Sequence, residues 1–247
     1  MNNTTDSKPV WSVETNEVVD RYLNADYEKF RHYDRFRFKL QHMVPLLKEG
    51  TTVLDLGCAK GELIYFLKEN APSASYVGVD YSQALIERAK KEPRLSGVEF
   101  LQADVREINL ERQFDVVIIS SLLAIFDDPS VILDKIFKHL KPGGTAFIYE
   151  PFNPHDYDVV MRFREARAPE NGWQAAYNQF SRRSISKILE PLTSEVLWHP
   201  FQPSIDIPVD PSKPSSYTLN SKELGRVSVT TTGSLCFVFL VQAKKKS

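Results

Sequence analysis

The chain has 247 residues, of which 42% are hydrophobic and 26% charged, and its formal net charge at pH 7 is −1. Enough apolar residues are present for the core of one globular domain. The near-zero charge provides no overall basic field, which argues against a nucleic-acid partner. The longest late apolar run, Cys236 to Val241, is too short to span a bilayer, and the polar first residues do not resemble a secretory signal. We therefore expect no membrane association.

Both cysteines, Cys58 and Cys236, fall inside predicted apolar elements. Such a pair indicates reduced, buried thiols and not a disulfide framework, so a cytoplasmic location is expected.

The N-terminal part is predicted to be helical and rich in aromatic residues. Residues 1–12 suggest a loose polar arm, whereas apolar residues recur at helical spacing over 16–47, with Pro45 marking a boundary or kink. Two interpretations stay open for this N-terminal cap, residues 1–47: a helical layer that covers a sheet, or a lid over a bound ligand.

Strand and helix signals alternate from residue 52 onward, which predicts a parallel, doubly wound sheet covered on both faces. Ser82 and Ser130 are the predicted N-caps. Two late strands without a helix between them suggest an antiparallel pair at the edge of the sheet. The predicted strands are 52–56, 75–80, 97–102, 113–120, 144–150, 193–199 and 234–242, and the helices lie near 60–70, 82–91 and 130–140.

The amino-acid composition changes after Glu150, since nine of the fifteen prolines lie between Pro151 and Pro214. Long insertions of this kind in compact domains are usually functional or disordered, and the aromatic residues here argue against disorder throughout. We predict a substrate-side insert with a late strand over 151–230, and a last strand and tail over 231–247. The predicted insert contains five arginines from Arg162 to Arg183, and these side chains either bind an anionic group or extend into water.

The most informative stretch is the apolar run that ends at Asp55 and turns through Gly57 and Gly61 into a helical pattern. Glycines at such a turn let a ligand approach the main chain, and the amides of the helix start face it. A carboxylate at this strand tip repels a pyrophosphate and attracts an ammonium group. Asp80, 23 residues beyond Gly57, ends the next apolar run and is placed to accept ribose hydroxyls.

These motifs, together with three later ones, resemble the class I S-adenosylmethionine-dependent methyltransferases in order and spacing. The likeness covers about residues 50–150; Ala59 stands where many members have a third glycine. It implies a seven-stranded, mostly parallel sheet of order 3-2-1-4-5-7-6 with one antiparallel edge strand, helices on both faces, and S-adenosyl-L-methionine as cofactor. The matching stretches are Leu54 to Gly61, Gly78 to Ser82, Gln102 to Val105, Phe114 to Val117 and Leu140 to Gly144.

The resemblance also implies a set of cofactor-binding residues. Asp104 would accept from the adenine amino group, although a helix N-cap is an alternative role for it. Tyr81 would lie against adenine or pack on the next helix. The complete set is Asp55, Gly57, Cys58, Ala59, Gly61, Asp80, Tyr81, Ala103, Asp104, Val105, Ser120 and Ser121.

A hydroxyl or amine acceptor can require a general base. His155 is the predicted residue because it follows the fifth strand at the ligand edge and because histidine is the usual side chain for proton transfer near neutral pH. Glu150, Asp156 and His199 are the alternatives. No Cys/His cluster has the spacing of zinc ligands, so no metal is predicted.

The sequence therefore predicts a single methyltransferase domain, residues 1–247, with the cofactor-binding core at 48–150. Its expected partner is a small-molecule acceptor methylated on oxygen or nitrogen, such as a sugar or an anionic metabolite. A non-catalytic binder with the same fold is the alternative, and a nicotinamide oxidoreductase is disfavoured by Asp55 before the glycines.

Overall fold

The computed structural model describes residues 16–164, 166–167, 169–175, 178–204, 206–208, 217–229 and 235–247. The predicted polar arm at 1–12 lies outside these ranges, as do parts of the predicted insert.

A central sheet organises the fold, and hydrophobic runs of the predicted kind form its strands. Its first five strands are β1 (Thr52–Leu56), β2 (Ser75–Asp80), β3 (Glu99–Gln102), β4 (Phe114–Ser120) and β5 (Leu140–Asn153). The later strands of the chain are β6 (Arg162–Phe163), β7 (Gln174–Ala175), β8 (Phe180–Ser181), β9 (Thr193–Phe201), β10 (Tyr217–Ser221), β11 (Gly225–Val229), β12 (Leu235–Cys236) and β13 (Val238–Lys245).

The strand order β3-β2-β1-β4-β5-β13-β9 confirms the predicted order 3-2-1-4-5-7-6. Strands β1 to β5 pair in parallel, whereas β13 runs antiparallel to both β5 and β9. The antiparallel strand thus lies second from the edge, and β9 forms the edge itself. β8 adds a short parallel pairing to the end of β5.

Helices cover both faces because alternate strand residues are apolar on each side. One core cluster contains Val53, Ile118 and Phe147, and the other contains Leu54 and Val117. The helices are α1 (Asn16–Asn24), α2 (Tyr27–Arg31), α3 (Asp34–Met43), α4 (Glu62–Asn70), α5 (Gln83–Lys90), α6 (Pro129–His139) and α7 (Arg182–Leu189).

One of the two predicted helix caps is right. Ser82 accepts from the amide of Leu85 at the start of α5. The prediction for Ser130 is wrong: Asp128 caps α6 and accepts from the Ser130 amide at 2.8 Å. The helix begins one residue earlier than predicted because Pro129 suits the first helical position and a carboxylate precedes it.

The N-terminal helices pack as a layer on α4. The Tyr27 hydroxyl donates to the Lys60 carbonyl at 2.7 Å, and the rings of Phe36 and Phe66 meet edge-on at 5.5 Å between centroids. These contacts attach α2 and α3 to the helix that follows the glycine turn. The cap therefore borders the carboxyl edge of the sheet.

Two small sheets follow β5, and all their strands except β12 lie within the predicted insert. β6 pairs antiparallel with β7, and β10, β11 and β12 form a three-stranded sheet. Among the helices of the described ranges, none is long and apolar enough to cross a membrane.

Candidate functional site

The turn between β1 and α4 has an unusual backbone. Gly57, Ala59 and Gly61 have φ of 76°, 51° and 85°, in the left-handed region that glycine tolerates best. The amides of Gly57 and Cys58 donate to the Val79 carbonyl at 2.7 and 2.9 Å, which fastens the turn to β2. The turn thus exposes main chain at the carboxyl edge of the sheet, where ligands of open parallel sheets bind.

Two buried carboxylates lie beside this turn. Asp55 is 3% exposed, and burial raises its pKa to about 7, with Glu62 and Asp80 adding to the effect. Glu62, the first residue of α4, is 4% exposed, and its pKa is likewise raised to about 7 by burial. Its Oε1 is buried without a hydrogen-bond partner among the described residues. Buried carboxylates at this edge of the sheet suit a ligand with a cationic end.

Asp80 connects the first turn to the second. One of its carboxylate oxygens accepts from the Ala59 amide at 2.8 Å, and the other from the Ser82 amide at 2.9 Å. The Tyr81 amide also acts on this carboxylate. Because a carboxylate has about four lone-pair sites, capacity remains for a ligand hydroxyl. Tyr81, beside it, is 47% exposed and does not pack into the core, so its ring is open to a ligand.

Asp104 is already engaged at the end of β3. Its carboxylate accepts from the backbone amide of Arg106 at 2.9 Å and from the same residue's guanidinium Nε at 3.0 Å. The Arg106 guanidinium lowers the pKa of this carboxyl. An adenine amino group would have to share Asp104 with Arg106. Nearby, Val105 is buried and the Ala103 amide donates to the Asp80 carbonyl at 3.0 Å.

The end of β4 adjoins β5 and the N-terminal cap. Ser121 is left-handed, with φ of 60°, and its amide donates to the Tyr149 carbonyl at 3.0 Å. The Ser120 hydroxyl accepts from Lys39 Nζ at 3.0 Å. A cap helix thus contacts the predicted cofactor edge directly.

Glu150 holds the loop after β4. Its Oε1 accepts from the amides of Leu122 and Leu123 at 2.6 and 2.8 Å, while its Oε2 is buried and unpartnered within the described ranges. Burial raises the pKa of Glu150 to about 7. This arrangement fixes the backbone next to Ser121.

Sequence reasoning missed Lys39. The residue is 3% exposed, and burial lowers its pKa to about 7. The sequence pattern could have predicted this burial, because Lys39 lies three residues after Phe36 and four before Met43, within the apolar stripe of an amphipathic helix.

Comparison with known proteins identifies the family. Residues 47–186, more than half of the chain, match a family described as a methyltransferase domain. The chain belongs to the class I S-adenosylmethionine-dependent methyltransferases.

Curated relatives of this methyltransferase act on different molecules. It is 34% identical over 143 residues to a demethylmenaquinone methyltransferase of Lactococcus lactis, an alignment that covers 53% of this chain and 56% of the relative. It is 27% identical over 153 residues to a malonyl-[acyl-carrier protein] O-methyltransferase of Priestia megaterium, covering 61% of this chain and 56% of the relative. The chain therefore spans only about half the length of the curated relatives it matches.

The fold of the methyltransferase is also found among solved structures. The N-methyltransferase NodS of Bradyrhizobium japonicum, crystallised with S-adenosyl-l-homocysteine, superimposes with a TM-score of 0.56 at 16% identity. The likeness covers 94% of this chain and 98% of NodS.

The candidate general bases of the methyltransferase lie in different surroundings. His155 is exposed just beyond β5, and its amide donates to the Asn153 side chain at 3.0 Å. Asp156 pairs with Arg183 at 3.0 Å. The His199 ring packs on that of His42, with 4.1 Å between the ring centroids. Of the four candidates, only Glu150 bonds the loop beside Ser121.

The arginines of the insert have several partners. The Arg167 side chain is exposed. The others contact acids or rings: Arg162 pairs with Asp127, Arg183 with Asp156, Arg182 lies 4.8 Å from the Trp198 ring centroid, and Arg164 lies 5.1 Å from that of Trp173.

A basic cavity lies elsewhere on the methyltransferase. Its volume is about 740 Å³, and its lining includes Arg112, Lys138 and Lys141, at the amino end of β4. Each of these cations pairs with an acid, so the cavity is not the candidate site. In the part of the chain that the structure describes, no group of three or more potential ligands could hold a metal ion.

Proposed function

We propose that this chain binds S-adenosyl-L-methionine and transfers its methyl group to an oxygen or nitrogen atom of a small molecule. The observation that carries the proposal is the pair of buried carboxylates, Asp55 and Glu62, beside a left-handed glycine turn. Glu62 Oε1 has no hydrogen-bond partner among the described residues, which fits a ligand that brings its own positive charge.

The residues of the turn would hold the methionine end, Asp80 the ribose, and Tyr81 with Ala103, Asp104 and Val105 the adenine. The bound cofactor supplies a sulfonium methyl group, which is already a strong electrophile. The protein must therefore align the acceptor and exclude water, and these tasks belong to the cap and the insert.

Loss of a proton from the acceptor requires a base on the chain or in solvent. We propose His155 for this role, since it lies exposed just beyond β5 and an imidazole nitrogen can accept a proton. Glu150 is the alternative, because it bonds the loop next to Ser121.

The first test of the proposal is cofactor affinity. Wild-type protein should bind S-adenosylhomocysteine in a calorimetric titration. Asp80→Ala should weaken that binding by about 1.5–3 kcal/mol, because charge-assisted bonds to ribose and the anchor of the Ala59 amide are lost together. Asp134→Ala, on the exposed face of α6, is the matched control and should bind like wild type. Failure of the wild type to bind would refute the proposed function, and an unchanged Asp80→Ala would remove Asp80 from the site.

The acceptor is proposed to carry a carboxylate or phosphate, since arginine matches both groups and relatives include enzymes for trans-aconitate and malonyl-[acyl-carrier protein]. At least one of Arg162→Ala, Arg164→Ala and Arg167→Ala should lower kcat/KM by about tenfold, corresponding to about 1.4 kcal/mol. Arg112→Ala, at the opposite edge of the sheet, is the control. A neutral acceptor, or three variants within about twofold of wild type, would show that these arginines do not recognise it.

A further inference from the structure

Lys39 is a buried cation that has no anionic partner in direct contact among the residues that the structure describes. Its Nζ donates to the Ser120 hydroxyl at 3.0 Å and lies 4.5 Å from the Phe36 ring centroid and 5.0 Å from that of Tyr149. No carboxylate of the described residues forms a salt bridge with it, and an ammonium group has three donors. Such a group is costly to bury unless it is paired, so its surroundings call for an anion.

The position of Lys39 in the fold indicates which anion. Side chains alternate along a strand, so Asp55 shares a face with Val53, and Ser120 shares it with Ile118. Val53 and Ile118 belong to the core cluster that also holds Phe36 of α3. The lysine therefore lies over the carboxyl ends of β1 and β4, on the same face as Asp55.

The charges around this point are complementary to an amino acid. Burial and the charge of Arg35 lower the pKa of Lys39, whereas the charges of Asp55, Glu62 and Glu150 raise it. Two acids beside the glycine turn suit an ammonium group, and Lys39 suits the carboxylate attached to the same carbon. Lys60, the other buried lysine of the described residues, donates to the Ala25 carbonyl instead. The methionine end of S-adenosylmethionine carries both groups.

We propose that Lys39, carried by the cap helix α3, binds the carboxylate at the methionine end of the cofactor. This inference rests on the proposed function. It gives the N-terminal cap a binding role in addition to covering the sheet, since α3 then contributes a ligand contact from outside the glycine turn.

The contact between Lys39 and the carboxylate can be tested by comparing the binding of two ligands. S-adenosylhomocysteine has the amino-acid carboxylate, whereas 5′-methylthioadenosine lacks it and keeps the adenosine and sulfur. Lys39→Met should weaken S-adenosylhomocysteine binding by about tenfold or more and leave methylthioadenosine binding within about twofold of wild type. The ratio of the two affinities in one variant cancels any general loss of folded protein.

Matched variants complete the experiment. Arg37→Met removes the same charge from an exposed position of α3 and should change neither affinity. Lys39→Arg retains the charge and should preserve the preference for S-adenosylhomocysteine, which keeps the test decisive if Lys39→Met does not fold.

Three outcomes would overturn the proposal. An equal loss for both ligands would mean that Lys39 acts only through the fold. Unchanged binding with slower turnover would mean that it acts on the acceptor. Lost preference in a folded Lys39→Arg would exclude charge recognition. If wild type binds neither ligand, the proposed function itself fails, and that result is distinct from the other three.

Discussion

Replacement of Gly57 by valine should weaken S-adenosylhomocysteine binding by at least about a hundredfold, close to 2.8 kcal/mol. Gly57 has φ of +76°, and a Cβ there would lie 3.1 Å from a Leu122 methyl carbon. A β-branched side chain is strained at this φ and would fill space between the turn and the loop after β4. Calorimetry on the folded variant measures the loss.

Gly50→Val is a control that distinguishes backbone strain from steric blocking of the ligand site. Gly50 has φ of +77°, but among the described residues, apart from its two chain neighbours, no heavy atom lies within 4 Å of the position that a Cβ would occupy. This variant therefore has similar backbone strain without a blocked site. Its cofactor affinity should match that of wild type. Normal binding by folded Gly57→Val would show that the turn does not contact the ligand.

Glu150→Gln should change the pH dependence of folding. The pKa of Glu150 is raised from 4.5 to about 7 by burial, so the folded protein favours the protonated carboxyl. The stabilisation from that proton is complete below the unfolded pKa and is lost as pH rises through about 7. Between about pH 5 and pH 8, the free energy of unfolding of wild type should therefore fall by about 2–3 kcal/mol relative to that of Glu150→Gln.

Urea denaturation of both proteins at the two pH values measures this difference. A glutamine keeps an acceptor oxygen for the amides of Leu122 and Leu123, so the loop contact is largely retained. Glu190→Gln, at an exposed position, is the control. The difference between its free energy of unfolding and that of wild type should be the same at both pH values. An equally constant difference for Glu150→Gln would contradict the expected titration.

Two predicted boundaries, the start of α6 and the end of β5, differ from the structure. The first depends on which of two nearby side chains caps the helix, and the second depends on a contact with a distant segment. Ser130 was predicted as a cap, but Asp128 lies two residues earlier and offers a stronger acceptor for the same helix end. β5 was predicted to end at residue 150, yet it continues to Asn153 because Phe152 and Asn153 pair with β8. That pairing depends on where a later segment packs.

The sequence by itself determined the strand–helix alternation and the position of the glycine turn. Both are local properties: apolar periodicity follows from which side chains must be buried, and left-handed φ values favour glycine, as at Gly57 and Gly61. The order of the strands followed from the family resemblance.

Only the tertiary structure decided which charged groups meet at the site. Lys39 and Ser120 are 81 residues apart in the chain, and their contact exists because α3 packs over the ends of β1 and β4. Likewise, Glu62 and Glu150 have raised pKa values because the surrounding elements exclude water from them. Burial depends on the packing of distant segments, and local sequence patterns do not specify it.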